Sequence, residues 1–136
     1  MTRLESKTVR IEKKPQEVFE FLADFNNYEQ LMPEQVGDWI SDKESCSFNI
    51  KGMASLGMAF DKLTPFEEVK IKKNGKAPFD FFLTCKIENI ENNATALTLY
   101  FDADLNPFLK MMAEKPLTNF LNLLVNRYKE ITSATA

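Results

Sequence analysis

The chain has 136 residues, 44% hydrophobic and 27% charged, and 17 basic against 20 acidic side chains leave a net charge of −3. That length suits one domain, residues 1–136, and buries enough surface for a core without disulfides or metal. The apolar content excludes disorder, and 4 Gly with 6 Pro exclude collagen-like and low-complexity chains. A mildly acidic chain also lacks the basic surface that displaces counterions from a phosphate backbone, so no nucleic-acid partner is expected.

In chain order, residues 4–12 alternate around Val9 and Ile11 and predict a half-buried strand. Pro15 stands where a helix favours its first residue, with Glu17 in the first turn. Val18, Phe21, Leu22 and Phe25 then recur at helical spacing and predict a short helix. Asp24 is placed to cap a second short helix carrying Phe25, Tyr28, Leu31 and Met32, which Pro33 ends.

From residue 35 to 105 the period switches to two. Residues 38–42 hold Trp39 and Ile40, which compete for the inner face. Cys46, Phe48 and Ile50 alternate with polar neighbours, and Leu56, Met58 and Phe60 alternate with small or polar ones. Residues 66–73 carry Val69 and Ile71. Phe79, Phe81, Leu83, Cys85 and Ile87 form one face of a long strand, and Leu97, Leu99, Phe101, Ala103 and Leu105 form one face of another. Asn74-Gly75 and Asn92-Asn93 suit tight hairpin turns, and Gly52 marks a further turn. The lysines at 70, 72, 73 and 76 read as a solvated hairpin tip. This pattern is an antiparallel meander with one apolar face.

Pro107 opens a long amphipathic helix, with Phe108, Met112, Phe120, Leu124 and Tyr128 on one side, widened by Leu109, Leu117, Leu121 and Ile131. Pro116 removes a backbone donor inside it. An antiparallel sheet must cover its apolar face, and only this helix is large enough to do so. The sheet is therefore expected to curl around it, giving an α+β fold.

Little in the chain carries chemistry. There is no histidine, so a serine or cysteine nucleophile lacks its usual base. Cys46 and Cys85 are too few for a usual zinc site and fall in apolar patterns, which predicts buried, reduced thiols. Residues 52–57 miss the nucleophile-elbow spacing by one. Asp102 and Asp104 imitate a calcium loop, but Pro107 stands where that loop needs glycine and Ala113 where it needs glutamate. No catalytic residue, metal or cofactor is expected. The first residues show no apolar leader and no run approaches the roughly 18 apolar residues of a membrane span, so a cytoplasmic location is expected.

Residues 13–33, KKPQEVFEFLADFNNYEQLMP, carry a Pro-initiated helix with Val18 and Phe19, then Asp24 opening the next helix. With residues 47–69, they resemble the START/Bet v 1-like (SRPBCC) superfamily and its small bacterial polyketide-cyclase-like members. The resemblance implies a helix-grip fold: a curved antiparallel sheet of about six or seven strands around a long C-terminal helix, with two short helices between the first two strands. It also implies a cavity between sheet and helix for a hydrophobic or amphipathic small molecule, lipid-like or polyketide-like. On that frame the expected lining is Phe48, Leu56, Met58, Phe60, Phe81, Leu83, Cys85, Leu99, Phe101, Phe108, Met112, Phe120 and Leu124, with Tyr28 and Tyr128 as polar contacts. Methionines 53, 58, 111 and 112 would adapt such a cavity to varied shapes. Binding or carriage is the primary expectation. A cyclase or aromatase and a chaperone-linked or partner-binding module are the alternatives. Nothing in the sequence specifies an oligomeric state.

Overall fold

The structure is a computed structural model describing residues 1–51, 54–75 and 77–134. The turn at Gly52, the pocket role of Met53 and the Lys76 end of the basic cluster lie outside these residues.

Two N-terminal strands, β1 (Thr2–Glu5) and β2 (Val9–Ile11), lead into helix α1 (Pro15–Leu22). After two 3-10 turns, Phe25–Asn27 and Glu29–Leu31, come β3 (Val36–Ser41), β4 (Ser45–Ile50), β5 (Ala54–Thr64), β6 (Glu68–Lys73), β7 (Phe81–Glu91) and β8 (Ala94–Ala103). Helix α2 (Pro107–Ala134) completes the described chain. The sheet is antiparallel throughout, in the order β1-β8-β7-β6-β5-β4-β3, with β2 also paired to β8. The architecture is the α+β wrap predicted from the element order, with eight strands.

The extra strand comes from a break in the segment read as one strand over 4–12. Glu5 pairs with Tyr100 and Val9 with Leu97, so three residues face two. Ser6 causes the interruption: its hydroxyl accepts the Leu99 N–H at 2.9 Å and donates to the Lys7 carbonyl at 2.9 Å. The Lys7 N–H is taken by Asn122 of α2 at 2.7 Å, which ties this break to the helix.

Helix α1 starts on Pro15 and buries Val18 and Leu22. The second short helix is a pair of 3-10 turns. The Asp24 carboxylate accepts the Asn26 N–H at 2.9 Å, and Asn27 donates its side-chain amide to the Phe21 carbonyl at 2.9 Å. These local side-chain bonds favour tight turns over α-helix. They also turn Phe25 and Tyr28 inward, where both are buried.

A register shift between Gly37 and Ile40, with Asp38 at φ 53°, settles which residue of β3 faces in. Trp39 stacks on Phe48 with centroids 5.3 Å apart, and Ile40 is 70% exposed. Close approach also shapes β5: a Cβ on Gly57 would lie 2.0 Å from the Asn74 carbonyl oxygen. In β7 and β8 the inward set follows the alternation, and Leu83, Cys85, Ile87, Leu97 and Leu99 are all buried.

The Asn106 side chain caps α2 by accepting the Leu109 N–H at 2.8 Å. The helix runs through Pro116 and buries Ala113, Leu121, Leu124, Val125 and Tyr128. Phe108 and Met112, expected on the inward face, are 66% and 62% exposed. With 3.6 residues per turn, each four-residue step overshoots a turn by ~40°, so Phe108 and Leu124 are ~160° apart around the axis. Spacing by fours joined residues that occupy opposite sides.

Candidate functional site

A partly open pocket of about 470 Å³ lies between the sheet and α2. Strands β4 and β5 supply Phe48, Ile50, Leu56 and Met58, and β7 and β8 supply Phe81, Leu83 and Phe101. From α2 come Pro116, Leu117, Phe120, Leu121, Leu123 and Leu124. Met32, Pro33 and Val36 close one side, with Pro78 and Phe79 on another. The wall at β7 and β8 is aromatic. Phe81 stacks on Phe101 at 5.2 Å between centroids, and Phe79 meets both edge-on at 6.3 Å.

Eight expected lining residues reach the pocket: Phe48, Leu56, Met58, Phe81, Leu83, Phe101, Phe120 and Leu124. Three others are absorbed into packing away from it. Phe60 stacks on Phe25 at 4.2 Å, while Cys85 and Leu99 are buried in the sheet's core face. Phe108 and Met112 point to solvent and do not line it. Sequence reasoning missed Met32, Pro33, Val36, Pro78 and the rim residues Gln35, Lys51 and Asn119. Apart from Asn119 they belong to loops or strand ends, where no period marks a face. Leu117 and Leu121 were legible as part of the helix stripe, but only helical angles separate them from Phe108.

The two tyrosines differ from the expected polar contacts. Tyr28 lines the pocket with its ring, but its hydroxyl donates to the Leu22 carbonyl at 2.7 Å. Burial, then the adjacent Cys85, pushes this phenol well above its ordinary value. Tyr128 lies outside the pocket with its ring 4.6 Å from Phe21. Burial and then Glu17 raise its phenol. Both thiols are buried as expected, and desolvation pushes each up to about 12. Such thiols are neutral and unreactive at ordinary pH.

Tyr28 apart, the polar side chains of the described lining are those of Gln35, Lys51 and Asn119. The Lys51 N–H donates to the Gln35 carbonyl at 2.8 Å, joining these residues, and Asn119 projects from α2. All three are exposed. Asp102, from the rejected calcium loop, pairs with Arg3 on the outer face at 2.8 Å, and Asp104 is exposed. Among the described residues no group of three acidic, Cys or His side chains is arranged to hold a metal. No helix among them is long and apolar enough to cross a membrane.

The curved sheet-over-helix wrap, with its pocket against the long terminal helix, decides the fold. It is the START/Bet v 1-like helix-grip fold. A START superfamily protein from Mycobacterium smegmatis superposes with a TM-score of 0.79 at 14% identity, over 98% of this chain and 99% of that one. The Aha1 dimer from Colwellia psychrerythraea gives a TM-score of 0.69 at 15% identity, over 96% and 95%. The di-domain ARO/CYC BexL, from the BE-7585A biosynthetic pathway, gives 0.69 at 13% identity over 97% of this chain and 48% of that one. No protein-family model matches the helix-grip chain, and no curated protein matches it in sequence.

Proposed function

We propose that this protein, as one domain over residues 1–136, binds or carries a hydrophobic or amphipathic small molecule in the pocket against α2. The observation that supports this most is the roughly 470 Å³ of space left under Phe48, Leu83, Phe101 and Leu124, where close packing would otherwise fill the interior. The fold shared with a START superfamily protein and an ARO/CYC protein agrees with such a use.

A cyclase or aromatase would need an ionisable group aimed into the pocket. Tyr28 is the one buried candidate in the described lining, and its proton is committed to the Leu22 carbonyl. This favours holding a ligand over transforming it. A partner-binding role is supported by a separate observation, the exposure of Phe108, Met111 and Met112 on the first turns of α2. Light scattering of the protein alone and of Phe108→Ser tests self-association through that face. A single species at the mass of one chain counts against it.

The test of the pocket is direct. N-phenyl-1-naphthylamine, an uncharged apolar fluorophore, should brighten on binding the native protein. Leu124→Trp, which fills the pocket from α2, should abolish that signal while leaving the circular dichroism spectrum unchanged. Equal brightening with the filled variant overturns the proposal. Mass spectrometry of an organic extract of the purified protein would identify a resident ligand.

A further inference from the structure

The lining of the pocket is chemically one-sided. Its lining is otherwise aromatic and aliphatic, and its polar side chains other than the committed Tyr28 are the exposed Gln35, Lys51 and Asn119, of which Gln35 and Lys51 are joined through their backbones. Lys51 is the one charged residue of the described lining, which contains no carboxylate. Lys51 also takes part in none of the ion pairs among the described residues, which are Arg3–Asp102, Arg10–Glu12, Arg10–Glu91, Lys73–Asp80 and Lys86–Glu88.

Resting on the binding reading above, we infer that the occupant is a single-chain amphiphile ending in an anionic group, with its chain among the phenylalanines and its charge at Lys51. A lysine lays its aliphatic stem along apolar surface and holds its ammonium at the water boundary, which is the geometry of a pocket mouth. An ammonium held at that boundary would face low-dielectric protein on one side, which would strengthen its attraction for an anion over that of a lysine surrounded by water. The amides of Gln35 and Asn119 add N–H donors for head-group oxygens. A cationic head would meet Lys51 with no carboxylate in the described lining to hold it. A neutral alcohol would use the amides but leave the ammonium unpaired.

Isothermal titration calorimetry with dodecanoate, dodecyl phosphate, 1-dodecanol and dodecyltrimethylammonium tests this. The native protein should bind at least one of the two anions roughly tenfold tighter than the alcohol, with the cation weakest, and the gap should narrow in high salt. The tighter anion names the head group. Lys51→Met should reduce anion affinity to that of the alcohol and leave alcohol affinity unchanged. Lys51→Glu should reverse the order of anion and cation. Lys51 is exposed outside the strands, so these changes should spare the fold. Equal affinity for anions and alcohol, or an anion preference that survives in Lys51→Met, overturns this inference and leaves pocket binding standing. Failure of every chain to bind overturns both.

Discussion

The inner face of the sheet is covered in two ways. α1 over β6, β7 and β8, with the first 3-10 turn against β4 and β5, presses down a solid layer: Val18, Phe25, Val69 and Ile71 are fully buried, and Phe25 stacks on Phe60. Further along, beneath residues 116–124 of α2, side chains of the same apolar kinds leave about 470 Å³ open. Composition does not distinguish the two regions. The difference is that a short, tightly turned segment drives an aromatic plug into the first and stops before the second. Tyr28 is the partition, with its ring against Phe25 at 5.0 Å on one side and the pocket on the other.

Breaking the solid region should have the largest effect. Phe25→Ala removes a 0% exposed ring from a stacked pair and should destabilise the protein by about 3–5 kcal/mol in urea titration. Leu83→Ala, in the wall of the pocket, should cost only about 2 kcal/mol, because part of its surroundings is already empty. It should also admit a bulkier ligand in the fluorophore assay. Equal losses at the two sites would erase the distinction between filled and open space.

The cysteines sharpen the comparison through pH. Unfolded thiols lose their protons near 9, whereas burial holds those of Cys46 and Cys85 to about 12. Between these values the folded state binds more protons than the unfolded state, so stability falls as pH rises. Their contribution should be intact below pH 9 and lost progressively toward pH 12. Urea titrations at pH 8 and 10.5 should show a smaller drop in Cys46→Ala/Cys85→Ala than in the native protein. The smallest effect is expected at Phe108→Ser, within about 0.5 kcal/mol of native, because that ring is in water.

Much of this is legible in the sequence. Strict alternation at Phe81, Leu83, Cys85 and Ile87 fixes an inward face because the period of a strand leaves no drift, and these residues are buried. The helix was harder to read: four-residue steps from Phe108 rotate out of the core, and only the cumulative angle reveals it. The pocket walls at Met32, Pro33 and Val36 and at Pro78 were illegible for another reason. Residues in connections take their direction from tertiary packing, and nothing periodic announces it. Lys51 shares that fate, since a lysine after a strand ordinarily signals a wet turn. At Ser6, one hydroxyl inserted between two amides was enough to split a strand that hydrophobicity alone reads as continuous.

The break at Ser6 and the twist at Asp38 share a consequence. Each interrupts an outer border of the sheet, β1 with β2 on one side and β3 on the other. A long straight border of unpaired amides is a template for recruiting further chains into fibrils. Here neither margin offers an uninterrupted row, so the open sheet resists growing sideways into an aggregate.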